Sequence, residues 1–239
     1  MPANKGEGGR AEKGSQLQMQ LYINEHQEEL TRGVLDALPS LAEQRQSIDW
    51  VSPCASDSYR EYQDARFLEA VGLADLTSSL KEFWPAGGPV WDGLAKVTTK
   101  DGRAGVLLAE GKSYPQELYG GGSTAGKSGS ERGVANLARI EEALDVTAKW
   151  AGASSSGWTI KSQLYQTANR LAHLYWLRTV TKTPAWLVHV LFVDDPTLDE
   201  PRRTSRTAWD EAMREADREL GLGAPVPHAG HVCLKGRVA

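Results

Sequence analysis

Between residues 16 and 38 the chain is rich in Gln, Glu and Leu, has no proline and one glycine, Gly33, and places Leu30, Val34 and Leu38 at helical spacing. That pattern predicts one long amphipathic helix ended by Pro39. A short strand is expected at Ser47 to Ser52, and a helix over Tyr59 to Val71, where Tyr59, Tyr62, Arg66 and Glu69 recur at helical spacing before Gly72. A second short helix covers Leu76 to Phe83. Pro85 and the Gly87-Gly88-Pro89 turn then break the chain ahead of a strand from Val90 to Thr98. The Asp-Gly signal in Lys100-Asp101-Gly102-Arg103 predicts a tight turn into a paired strand, Ala104 to Ser113.

Downstream of a Gly/Ser-rich stretch, Tyr119 to Gly133, the positions of Leu137, Ile140, Leu144 and Ala148 predict a helix over Val134 to Trp150. Another helix is expected from Trp158 to Thr181. The unbroken run Trp186 to Val193, ending at Asp194-Asp195-Pro196, predicts a strand buried on both faces. Thr207 to Asp210 has the form of a capping box, and Trp209, Ala212, Met213, Ala216 and Leu220 follow at helical spacing up to Gly221. Helices flanking a mixed sheet in this order predict an α/β sandwich.

Composition bounds this picture. A chain of 239 residues with 40% apolar content suits one substantial core. Residues 1–14 are Gly-rich and charged, which predicts a flexible tail. The remainder, 15–239, reads as one domain: an N-terminal helical part (15–83), a core (84–195), and a C-terminal helix and tail (196–239). The net charge of -4 excludes a global positive field, so a polyanion site must be local. Two cysteines, Cys54 and Cys233, suit a reducing compartment, and no apolar run approaches membrane length. A cytoplasmic protein without membrane partners is expected.

The candidate chemistry sits on the predicted hairpin. Side chains alternate along a strand, so Glu110 and Lys112 share a face. An apolar strand ending in two charges calls for a counter-charge, a metal or a cleft. Hairpin geometry brings Asp92 close to Glu110, so the two carboxylates and the Gly111 carbonyl suffice for a magnesium ion that keeps several waters. Lys112 beside them can orient a water or stabilise charge on a phosphate.

Asp92, Glu110, any residue, Lys112 resembles the PD-(D/E)XK nuclease superfamily, with its restriction-endonuclease-like or Holliday-junction-resolvase-like fold. The segment Gly87-Gly88-Pro89-Val90-Trp91-Asp92 is similar to the Gly-x-Pro-Asp segment of several members, with Val90-Trp91 inserted. The resemblance spans about residues 60–195 and implies a restriction-endonuclease-like mixed central sheet flanked by helices, with an added N-terminal helix. It further implies a Mg²⁺- or Mn²⁺-dependent nuclease that hydrolyses nucleic acid, DNA in the first instance, through a metal-activated water. Asp92, Glu110 and Lys112 would be catalytic, with Asp92, Glu110 and the Gly111 carbonyl as metal ligands. A further helix carboxylate is usual in the superfamily, and Glu69 and Glu82 are the candidates. Members that cut both strands often pair, which makes a homodimer compatible with this reading.

Other motifs compete. Gly121 to Ser128 satisfies the phosphate-loop pattern of a nucleotide-binding protein, but Pro115 and about nine residues separate it from the preceding strand, and glycines follow where a helix should open. A catalytically silent interaction protein is the other alternative. On helix 158–181, Tyr165, Asn169 and His173 lie opposite the Leu164, Ala168, Leu171 stripe. With Lys161, Arg170 and, from the Gly/Ser stretch, Lys127, they form a candidate nucleic-acid face. His228, His231 and Cys233 lack a fourth zinc ligand. His189 reads as a core histidine, and the eight tryptophans as packing.

Overall fold

The fold was obtained as a computed structural model that describes residues 8–119, 129–155 and 157–238. Five strands form one sheet: β1 (Arg45–Ser52), β2 (Gly93–Thr99), β3 (Ala104–Lys112), β4 (Ala185–Val193) and β5 (Ala229–Lys235), in that spatial order. β1, β2 and β3 pair antiparallel, while β4 runs parallel to β3 and β5 parallel to β4. The Asp101-Gly102 turn closes the β2–β3 hairpin, with Gly102 N–H donating to the Thr99 carbonyl at 2.8 Å.

Helices cover both faces, so the expected α/β architecture holds. On one side lie α1 (Gly14–Glu25), α2 (Gln27–Ala37) and α3 (Pro39–Gln44); on the other lie α4 (Asp64–Val71), α5 (Thr77–Phe83), α6 (Glu131–Trp150), α7 (Tyr165–Tyr175) and α8 (Arg206–Glu219). Strand alternation sorts the core: Val106 and Leu108 of β3 join the α4–α8 side, and Leu107 and Ala109 join the α1–α3 side. The same alternation in β4 sends Leu187 and Leu191 one way and Trp186, Val188, Val190 and Phe192 the other. Near-continuous apolar strands are what a sheet covered on both faces requires.

Several sequence expectations change. The helix expected over 16–38 is two helices broken at His26, where the Asn24 and Gln27 side chains donate to the carbonyls of Gln20 and Ile23. The helix expected from Tyr59 starts at Asp64 instead, because Ser58 and Tyr59 adopt left-handed backbone and Tyr62 forms an antiparallel bridge with Trp91. The helix expected from Trp158 starts at Tyr165 and widens into a π turn over Trp176–Val180, while the Trp158 indole N–H is taken by the Leu220 carbonyl at 2.9 Å. The C-terminal tail contains β5, whose alternation of Val232 and Leu234 inward on one face with His231 and Cys233 on the other was too short and too polar to stand out. In the described part of the leader, Ala11 N–H donates to Gln20 Oε1 at 2.8 Å and Gly9 N–H to the Ser58 carbonyl at 2.5 Å.

The floor under the hairpin end is set by α1. Met19 lies against both Gly93 and Gly111: a β-carbon on Gly111 would stand 2.6 Å from Met19 Cγ, and one on Gly93 2.6 Å from Met19 Cε. These two positions accept no side chain without moving Met19, and that close approach seats α1 directly behind the candidate residues.

Candidate active site

β2 begins at Gly93, which pairs with Ala109, so β3 outruns it by Glu110, Gly111 and Lys112. Asp92 therefore precedes its strand rather than lying within it. Where β2 can no longer supply an acceptor, the Asp92 carboxylate does: Gly111 N–H donates to Oδ2 at 3.0 Å. The turn leading to Asp92 is held from α4, whose Asp64 accepts the N–H groups of Gly87 and Gly88 at 3.0 Å each.

Glu110 and Lys112 share the face expected of them, and Lys112 Nζ donates to Glu110 Oε1 at 2.7 Å. The other Glu110 oxygen is held by Arg170 of α7, through Nε at 3.0 Å and a terminal nitrogen also at 3.0 Å. Arg170 additionally donates to the Val90 carbonyl at 3.3 Å and lies 5.7 Å from the Trp91 ring. Asp92, Glu110, Lys112 and Arg170 are 6%, 1%, 7% and 5% exposed, so each charge needs an opposite charge nearby. The two carboxylates and the two cations supply one another. Burial pulls the Lys112 ammonium toward the neutral form, but attraction to Glu110 and Asp92 outweighs it and leaves its pKa above the ordinary lysine value.

Across the sheet the same face carries a transverse row. Glu110 stands opposite His189 on β4, and His189 opposite His231 on β5, with Asp92 continuing the row beyond β2. Burial pushes the His189 pKa down to about 4, despite the raising influence of Glu110, so at neutral pH it is an uncharged neighbour of the cluster.

The remaining expected residues are distributed differently. Glu69 and Glu82 do not join the cluster: both are exposed, Glu69 in a cleft with Arg60, Tyr62 and Arg66, and Glu82 in one with Phe83, Arg139 and Tyr175. Helix α4 buries Phe67, Leu68 and Val71, which turns Glu69 outward. A buried acidic residue set beside Asp92 is Glu61, missed from the sequence because it lies outside any helix. The Tyr62–Trp91 bridge sets Glu61 next in register to Asp92, 4% exposed, with its Oε1 accepting from Gln16 at 3.0 Å. Tyr165, Asn169 and His173 form no open nucleic-acid face, because all three are buried: the His173 ring lies 5.1 Å from Trp84 and 6.0 Å from Trp91, and its Nδ1–H meets the Asn169 carbonyl at 2.9 Å. Of that set Lys161 is exposed, while Arg170 is committed to Glu110. Lys127 and the phosphate-loop match Gly121 to Ser128 lie outside the described residues, but α6 opens at Glu131 under a Ser130 cap rather than at Lys127-Ser128.

Among the described residues no three His, Cys, Asp or Glu side chains converge as a ready-made metal cage. The donor chemistry nonetheless fits a magnesium ion that keeps most of its waters: two neighbouring carboxylates and the Gly111 carbonyl, with a positive charge, Arg170, already drawn to Glu110. An incoming cation would take over an oxygen that Arg170 now holds. On the residues preceding Asp92 and Arg170 in the chain, two buried polar atoms have no hydrogen-bond partner among the described residues, the Trp91 indole nitrogen and the Asn169 amide oxygen. Compared with known proteins, the chain matches no protein-family model, no curated protein and no solved structure.

Proposed function

We propose that this chain is a divalent-metal-dependent phosphodiesterase acting on nucleic acid, with DNA the first substrate to test, built on a PD-(D/E)XK nuclease-like core. One observation carries the reading: Asp92 meets the Gly111 backbone at the open end of a β2–β3 hairpin whose second strand presents Glu110 and Lys112 on one face, 2.7 Å apart. A mixed sheet with helices following the hairpin supports it.

In this reading Asp92, Glu110 and the Gly111 carbonyl hold the metal. When bound, magnesium supplies Lewis-acid polarisation of a phosphoryl oxygen and acidifies a coordinated water. Lys112, kept protonated by the two carboxylates, orients the attacking water by hydrogen bonding and stabilises charge on the phosphate. Arg170 is the second fixed cation. Released from Glu110, its guanidinium can pair with the non-bridging phosphate oxygens, a bidentate geometry that Arg suits better than Lys. The formal charges of Asp92, Glu110, Glu61, Lys112 and Arg170 sum to -1, and a divalent ion with one phosphodiester brings the total to zero. Glu61 is accordingly the third carboxylate of the site.

The burial of the cluster favours a second reading, a catalytically silent fold in which Asp92, Glu110, Lys112 and Arg170 serve as an internal ion-pair network. The two readings separate on turnover. Plasmid and linear DNA, and then RNA, incubated with purified protein and Mg²⁺ or Mn²⁺ should be cut by the parent and not by Asp92→Ala or Lys112→Ala. Metal-dependent cleavage that survives both substitutions removes the assignment, and absence of cleavage with any substrate favours the silent network.

A further inference from the structure

A cavity of about 480 Å³ opens on the α4–α8 side of β4 and β5, between α7, α8 and the segment 222–226. Leu171, Met213, Leu222 and Val226 supply apolar walls. That volume and a mainly apolar lining with a few polar groups are characteristic of small-molecule sites. His189, 6% exposed, belongs to the lining, as do Thr167 of α7, Asp217 of α8 and His231 of β5. None of these four side chains makes a hydrogen bond to another described residue. Four elements thus aim hydrogen-bonding groups that no described residue uses at one space.

The chemistry of the lining narrows the ligand. An imidazole ring and a threonine hydroxyl can both hydrogen-bond along the alternating donor and acceptor edge of a nucleobase. Apolar walls suit the faces of such a ring. A carboxylate such as Asp217 is the usual acceptor for ribose hydroxyls. At the same cavity Arg214 spends only Nε on the Asp210 carbonyl, while Arg218 is paired with Glu215. The terminal nitrogens of Arg214 therefore remain for an anion. A medium-chain fatty acid would satisfy the walls but leave His189, Thr167 and Asp217 unmatched.

We propose that this cavity binds a nucleoside 5′-monophosphate, its base edge toward His189 and Thr167, its ribose toward Asp217 and its phosphate toward Arg214. The site is independent of the phosphodiesterase reading and stands or falls without it. Calorimetric titration of the purified chain with AMP, GMP, CMP and UMP should give saturable 1:1 binding of at least one, at about millimolar Kd or tighter. Leu222→Trp, which fills the cavity from a half-buried position, should abolish that binding; Ala224→Tyr at the exposed rim is the second filling variant should the first fail to fold. His189→Gln should weaken the bound nucleotide about tenfold or more. Arg214→Ala should weaken the nucleotide about tenfold and leave the parent nucleoside unchanged. No saturable binding of any of the four, binding retained by a folded filling variant, or decanoate binding that nucleotides fail to displace would overturn the proposal.

Discussion

Arg170 on α7 grips Glu110 on β3, two guanidinium nitrogens standing 3.0 Å from one carboxylate oxygen, in a place where both residues are buried. The helix is thereby tied to the strand end that carries the proposed chemistry, and the guanidinium occupies an oxygen that a metal ion would need.

Arg170→Met tests both consequences. Removing one partner of a buried charge cluster should lower stability by about 3 kcal/mol in urea unfolding. Under the proposed function, kcat should fall about 10²-fold or more at saturating metal, while the Mg²⁺ concentration for half-maximal activity, or Mn²⁺ binding read by electron paramagnetic resonance, shifts to lower values. Unchanged metal affinity in a folded variant would show that Arg170 and the metal do not compete.

Asp92 has a structural and a proposed catalytic role that two substitutions separate. Asparagine keeps an oxygen for the Gly111 N–H, whereas alanine leaves that buried donor without one. Asp92→Ala should cost about 1–3 kcal/mol and Asp92→Asn distinctly less. Both should abolish cleavage. Equal stability losses in the two variants would remove the backbone role.

Gly111→Ala places a β-carbon 2.6 Å from Met19 Cγ, on the stem of that side chain rather than its tip. Overpacking of this kind should destabilise by about 1–3 kcal/mol. A Met19→Ala substitution added to it should restore part of the loss in thermal melts. Additive losses in the double variant would mean that the clash lies elsewhere.

Acid should weaken the fold through its enclosed histidines. Burial, with a smaller contribution from Arg170, holds the His173 pKa down from 6.5 to about 4, against the raising effect of the Asn169 carbonyl. The unfolded chain takes up the proton near its ordinary value and the folded chain refuses it until about 4. The unfolded state thus binds more protons across that window. The stabilisation is complete above pH 6.5 and is lost as pH falls toward 4, on the order of 3 kcal/mol for this group. His173→Phe, which can still pack on Trp84 and Trp91, should flatten the dependence of urea-unfolding free energy on pH by close to one proton in this window. An unaltered slope would assign the acid sensitivity to other groups.

Local pattern determined a good deal by itself. The Asp-Gly turn predicts the hairpin because left-handed backbone is cheap at glycine. Period-two alternation places Glu110 and Lys112 on one face, and the unbroken apolar run of β4 predicts a strand covered on both sides. These are properties of a few consecutive residues, readable wherever the segment ends up.

Tertiary structure alone decided which partners those residues meet. Arg170, expected to lend positive charge to a nucleic-acid face, turned inward because Glu110 needed a second counter-charge once buried. His173 followed it into the Trp84 and Trp91 packing, with Asn169 buried one turn earlier. Glu61 rather than Glu69 came beside Asp92 because a single bridge between Tyr62 and Trp91 laid one loop against another. The strand β5 emerged from an unremarkable tail because β4 offered it an open edge and α2 an apolar surface. Helical and strand periods are carried by the local backbone, but counter-charges, bridges and edge pairing are settled by what burial brings together across the sheet, and no spacing along the chain encodes them.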